Sequence, residues 1–270
     1  MKIRLLALAA FALAATLQTA QPAAAQVTPA PVPTATPTVV IPPALPPLIK
    51  HETYAEGGYL VPATVCNELT AGCTHGDRYR SVAGRAAIEF PISGISLTGM
   101  LKVDYRRYVY QGAGGPINLV GGGTAFAPAL QAREQDFDIR AGIRALEPRL
   151  YLGVSYLRET NNYGYPTLRG YGLGLEKLPD VDQTFSVYGS AYYYPTVSGT
   201  YTQPLGPNAG VPLRLAYHRF RYDFGITLKP STTSPLFVDA GYLGDHTRSS
   251  ENSPANVIRA GPFVGLGVTF

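Results

Sequence analysis

The feature that most constrains this chain is a two-residue alternation of apolar and ionic side chains. In Ile95-Ser96-Leu97-Thr98-Gly99-Met100-Leu101-Lys102-Val103-Asp104-Tyr105-Arg106 the odd positions are mostly apolar and the even positions mostly polar. The same pattern runs through 136–144, 219–228 and 258–270. Successive side chains of a strand point to opposite faces, so each segment has one greasy and one charged face. A helix cannot segregate side chains at this period. The composition agrees: Tyr is abundant at 19, Gly and Pro reach 29 and 24, and Trp is absent.

The alternation predicts strands over 52–62, 79–90, 95–109, 133–145, 149–159, 167–178, 182–194, 213–229, 235–246 and 256–270. The first is interrupted by Gly57-Gly58. Short connections at 91–94, 146–148, 179–181 and 230–234 alternate with longer ones such as 111–132 and 195–212. This is the signature of an all-β, antiparallel up-and-down transmembrane barrel of about ten strands. An even count puts both chain ends on the side of the short turns. Turn centres read from the sequence oppose Ile88 to Leu97 and Gly84 to Leu101. They also oppose Ile143 to Leu152, Ala141 to Val154, Ile226 to Val238, and Tyr222 to Tyr242.

Energy decides which face looks outward. An Arg or Lys facing lipid near the midplane costs about 2–4 kcal/mol. Inverting the strands would expose Arg85, Lys102, Arg106, Arg140, Arg144 and Arg221, enough to cancel a typical domain stability of about 5–15 kcal/mol. The charged face therefore fills the lumen. A soluble sandwich or lipocalin-like barrel is the rival, with Ile139, Leu173 and Phe224 turned inward. The alternating loop lengths, the tyrosine-rich strand ends and the final Phe270 weigh against it.

Ahead of the strands, Met1-Lys2-Ile3-Arg4 is followed by an apolar run that ends in Ala23-Ala24-Ala25. The run is shorter than a membrane helix of about 20 residues and fits a signal peptide over 1–25. Residues 26–50 carry eight prolines between Pro29 and Pro47 and no charge before Lys50, as expected of a semi-extended periplasmic linker. The barrel domain is then 51–270. Net charge is +4, with the charges alternating along strands instead of clustering on one face, so nucleic acid is not an expected partner.

The last strand carries a resemblance. Phe270 is preceded by apolar residues at Val268, Leu266 and Val264. This ending is similar to that of Gram-negative outer-membrane β-barrel proteins as a class. The resemblance covers 50–270 and matches no single family within the class. It implies location in the cell outer membrane, contact with outer-membrane lipid, and recognition of Phe270 by the barrel assembly machinery. A monomer with an unidentified extracellular ligand is the corresponding expectation.

Candidate chemistry is sparse. Cys66 and Cys73 lie in the first outer loop of an exported chain, where a disulfide is expected. A metal site would need two further ligands, and only His75 is near. His218, Arg219, Asp245 and His246 fall near the outer ends of adjacent strands, with Arg219 expected to face Asp245 in the lumen and both histidines pointing outward. This rim group resembles the omptin proteases, ten-stranded barrels with Asp and His at the rim. Those enzymes need an Asp–His pair and an Asp–Asp pair around a water. Asp245 and His246 are adjacent and point apart on a strand, and no second Asp pair is evident. No Ser–His triad for lipid hydrolysis is convincing. Gly170, Gly172 and Gly174 lack phosphate-loop spacing and line one lumen face, with Gly172 expected under Tyr188. The run 121–123 is a loop glycine tract.

The expected lumen network comprises Arg85, Glu89, Lys102, Asp104, Asp136, Asp138, Arg140, Arg144, Glu176, Arg221, Asp223 and Asp239. With Tyr188 and Tyr192 it should largely plug a barrel of this size. The expected function is a structural or surface-binding barrel without enzyme activity or cofactor. Recognition is assigned to loops 111–132 and 195–212. A narrow channel for small solutes and an omptin-like or lipid-modifying rim hydrolase are the alternatives.

Overall fold

The computed structural model describes residues 52–270 apart from 62, 68, 71, 95–96, 119–123, 203–208 and 254. The expected signal peptide and Pro-rich linker lie outside the described residues. The strands are β1 (Thr53–Leu60), β2 (Thr64–Asn67), β3 (Gly72–His75), β4 (Val82–Ile92), β5 (Leu97–Gly112), β6 (Gly115–Asn118) and β7 (Thr124–Ala127). They continue as β8 (Leu130–Leu146), β9 (Leu150–Asn161), β10 (Leu168–Lys177), β11 (Phe185–Thr202), β12 (Pro212–Leu228), β13 (Leu236–Ser249) and β14 (Val257–Thr269).

Ten of these strands form an antiparallel ring in the order β1-β4-β5-β8-β9-β10-β11-β12-β13-β14, and β14 pairs back onto β1. Every ring strand coincides with one of the ten segments that alternate in the sequence. A closed ring leaves no strand edge with unpaired backbone groups. Connections 93–96, 147–149, 178–184 and 229–235 lie at one end, with the start of β1 and the end of β14 beside them. This is the short-turn end. The two longest connections, 61–81 and 113–129, lie at the opposite, long-loop end.

The alternation is realised as expected, with charge inside and hydrocarbon outside. Leu173, Phe224 and Ile139 are 67%, 57% and 38% exposed on the outer wall, whereas Arg140, Arg221 and Asp138 are 0% exposed in the lumen. That distribution excludes the soluble arrangement with those three apolar residues in the core.

Several registers differ from expectation. Ile88 pairs with Leu101, and Gly84 with Tyr105. The turn centre moves because Pro91 and Ile92 remain in β4, where Ile92 pairs with Leu97. Ile226 pairs with Ala240, and Tyr222 with Gly244, because Leu228 still pairs with Val238 before the turn opens. Each correction shifts the partner by an even number of residues, so no side chain changes face. Across β8 and β9, Ile143 meets Leu152 and Ala141 meets Val154 as expected.

The long connections are more structured than the sequence implies. Region 111–132 loses both ends to β5 and β8 and contains the hairpin β6–β7. The first part of region 195–212 is strand, since β11 passes a bulge between Tyr194 and Val197 and continues to Thr202. Val197, Thr200 and Thr202 supply β-branched side chains that suit the pleat. In the first long connection, β2 pairs with β3 and also with β14 through Ile258–Cys66 and Ala260–Thr64. β1, only 8 residues long, is thereby prolonged along β14 after a break at 61–63.

Closure of the ring needs bare backbone at Gly58, which pairs with Gly265. A Cβ at Gly58 would collide with the backbone carbonyl of Val264. Backbone cannot yield as a flexible side chain does. Gly58→Val is therefore expected to lower unfolding stability by about 1–3 kcal/mol, measured as a lower urea midpoint. An unchanged midpoint would contradict the tight β1–β14 seam.

Candidate functional site

The most chemically loaded region is the lumen. Period two on each strand aims ionic residues at one axis, and ten strands bring them within contact across it. Arg140 donates to Asp138 Oδ2 at 2.9 Å, Glu176 Oε2 at 2.8 Å and Ser190 Oγ at 3.0 Å. Arg106 reaches Asp104 at 3.1 Å, Asp223 at 3.2 Å and Asp245 at 3.4 Å. Arg221 bridges Asp104 at 2.5 Å and Asp136 at 3.1 Å. Lys102 meets Glu176 at 2.6 Å. Arg85 pairs with Glu56, and with Asp239 at 3.3 Å. Arg144 joins Glu89 and Glu147, each at 2.8 Å.

Every residue of the expected network thus faces inward, and each has an ionic partner. Sequence reasoning left Glu56, Glu134, Glu159 and Arg259 out of the network. Arg259 contacts Glu134 and Glu159, both at 2.8 Å. The inward parity of their strands carried the signal.

Aromatic rings fill the space between ion pairs. The Tyr188 ring lies 4.3 Å from the Arg85 guanidinium carbon, and the Tyr192 ring 4.4 Å from that of Arg140. Such contacts favour a cation over the ring face. The expected Gly172–Tyr188 contact is not formed, because the β10–β11 connection spans 178–184 and is centred later than 179–181, so that Gly174 opposes Tyr192 and Glu176 opposes Ser190. Tyr192 instead packs over Gly174 and Tyr194 over Gly172, while Tyr188 reaches Gly225 and Gly241. The principle of a ring over bare backbone holds with different partners.

Both mouths are stoppered. At the short-turn end, Leu178 and Val181 from the β10–β11 connection pack with Tyr54, Met100, Tyr151 and Phe237. Polar contacts hold this segment down. Val181 N donates to Glu52 Oε2 at 3.1 Å, Arg149 donates to Pro179 O at 3.2 Å, and Lys229 donates to Val181 O. Arg149 also pairs with Glu52. At the long-loop end, Ala63, Val65 and Leu69 pack on Tyr108, Tyr110, Leu243 and Phe263. Asn67 donates to Tyr110 Oη at 2.5 Å and to Glu134 Oε1 at 3.2 Å. The Cys66–Cys73 disulfide ties β2 directly to β3 in this cover. Both sulfurs are bonded to each other, so they are not free to ligate a metal with His75.

The rim residues do not converge. Arg219 pairs with Thr247 in register and contacts Glu159 and Asp136, correcting the expected partner Asp245. Asp245 lies opposite Arg221 and accepts from Arg106 and Tyr108 in the lumen. His218 and His246 face outward as expected, His246 beside Tyr222 with ring centroids 5.9 Å apart. Asp245 and His246 are therefore separated by the barrel wall. Phe270 is exposed beyond β14, its amide donating to Thr53 O at 2.9 Å.

Removing one member of a buried ion cluster leaves its partners uncompensated at about 3–5 kcal/mol. Arg140→Ala is expected to lower unfolding stability by about that amount, whereas Arg214→Ala, at the exposed Arg214–Glu251 pair, should cost less than about 1 kcal/mol. Equal denaturation midpoints for the two variants would contradict the ionic core. No protein-family model matches the chain, and no curated protein matches it.

Proposed function

We propose that the chain is an integral outer-membrane β-barrel with a structural or surface-binding role, its lumen sealed and its long-loop end carrying recognition. The observation that carries this reading is the combination of an apolar outer wall with a dry ionic lumen. A water-filled pore leaves its lining in contact with water. Here Arg106, Arg140, Arg219, Arg221 and Arg259 are below 2% exposed. Ring strands β5, β8, β11 and β12, of 16–18 residues, exceed the 9–11 needed for a tilted crossing. The exposed apolar wall would be unfavourable in water and suits hydrocarbon, at about 25 cal/mol per Å² of apolar area removed from water.

The resemblance of the ending at Phe270 supports export to the outer membrane and recognition by the assembly machinery. The 1–25 leader and 26–50 linker fit the same route, with the linker on the periplasmic side. The stoppers argue against the channel reading. The separation of Asp245 from His246 argues against an omptin-like rim hydrolase.

In planar bilayers the inserted protein is expected to give no resolvable current steps. Discrete, reproducible conductance steps would overturn the sealed lumen. Boiling should shift its migration on detergent gels, and Leu173→Arg on the outer wall should weaken the folded form by about 2–4 kcal/mol. A protein that stays a soluble monomer without detergent would refute the membrane assignment.

A further inference from the structure

We infer that the outer wall at the long-loop end holds a binding site for the phosphate-monoester headgroup of a membrane lipid, centred on Arg158 and Arg169. This rests on the membrane reading above. Arg158 on β9 and Arg169 on β10 are register partners, and both are exposed on the outward face. Directly opposed side chains have Cβ atoms about 4.5–5.5 Å apart, and like charges so placed repel. Opposed arginines therefore call for an anion between them.

The protein supplies none among its described residues. Neither guanidinium has a hydrogen-bond or ion-pair partner there. The described acids at this end that lie outside the lumen are Asp77 and Glu251. Asp77 already pairs with Arg80 at 3.7 Å, and Glu251 with Arg214 at 3.2 Å. Glu159, next to Arg158 in sequence, points into the lumen and is held by Arg219 and Arg259.

What lies below the pair identifies the ligand as a lipid. The next outward pair toward the short-turn end is Tyr156 and Tyr171, with ring centroids 5.2 Å apart. Val154 pairs with Leu173 below them, and Leu152 with Leu175 below that. Cation, tyrosine and aliphatic layers thus succeed one another down two adjacent strands. A bilayer leaflet has the matching order of charged headgroup, interface and acyl chain, and tyrosine concentrates at the interface. A phosphate monoester carries about −1.5 to −2 charge near pH 7 and can neutralise both arginines. A phosphodiester neutralises one. Guanidinium forks also fit phosphate oxygens in bidentate geometry.

The test uses the full chain inserted in phosphatidylcholine vesicles doped with phosphatidic acid, a monoester, or phosphatidylglycerol, a diester. Native mass spectrometry reads the lipid retained on the barrel, and heat-shifted gel migration reads insertion separately. Phosphatidic acid should be enriched over phosphatidylglycerol. The Arg158→Ala/Arg169→Ala double variant should lose that enrichment about tenfold or more, as expected for lost charge-assisted hydrogen bonds. Arg158→Lys/Arg169→Lys should restore part of it, and Arg214→Ala should leave it unchanged. Undiminished enrichment in the double alanine variant would overturn the site. Equal enrichment of both lipids would overturn the monoester assignment, and displacement by inorganic phosphate the lipid source. Insertion without any enrichment refutes the headgroup site while leaving the barrel standing; failure to insert at all refutes both.

Discussion

Ionic groups removed from water must find one another, and the rest of this fold follows from that requirement. A guanidinium in a dry interior is tolerable only beside carboxylates with good geometry. Arg140 and Arg221 meet it with several acids each, including Asp223 and Asp104 from across the lumen. Such pairing fixes the barrel's girth, because the strands must bring side chains from opposite walls into contact. It also fixes the parity of every strand, since turning one over would expel its charges to the outer wall and strand their partners. The apolar outer wall is the complement of that choice.

The ends of the cylinder are treated differently from its middle. Where ion pairs give way to the mouths, apolar side chains take over: Leu178 and Val181 at one end, Val65 and Leu69 at the other. These come from connecting segments, not from the ring. Each is tied by hydrogen bonds to buried residues such as Glu52 and Glu134. Residues around the Glu52–Arg149 pair therefore hold the short-turn cover at the position where the chain enters its first strand.

Much of this was readable from residue order alone, and the reason is periodic. Strands alternating Lys102, Asp104 and Arg106 with Leu101, Val103 and Tyr105 declare both their extent and their faces. What could not be read depends on where chains turn and what lies across the axis. The turn before β5 is two residues later than Pro91 suggests, because proline at a strand end is compatible with continued pairing there. Hairpin β2–β3 has four-residue strands, too short for alternation to register. Partners such as Arg221 and Asp136 sit on β12 and β8, which are not neighbours in the ring, so no local pattern links them. The inward location of Arg219 was legible; its partners were not, because a small register error replaced Thr247 with Asp245.

The cross-axis pairs make early and late parts of the chain mutually dependent. Asp104, Asp136 and Glu159, from β5, β8 and β9, receive their counterions from Arg219, Arg221 and Arg259 on β12 and β14. Without those last strands Asp136 and Glu159 would lose the arginines that neutralise them, and like charges left so close together repel. The closed cylinder is thus the one arrangement in which the earlier and last strands satisfy each other's charges.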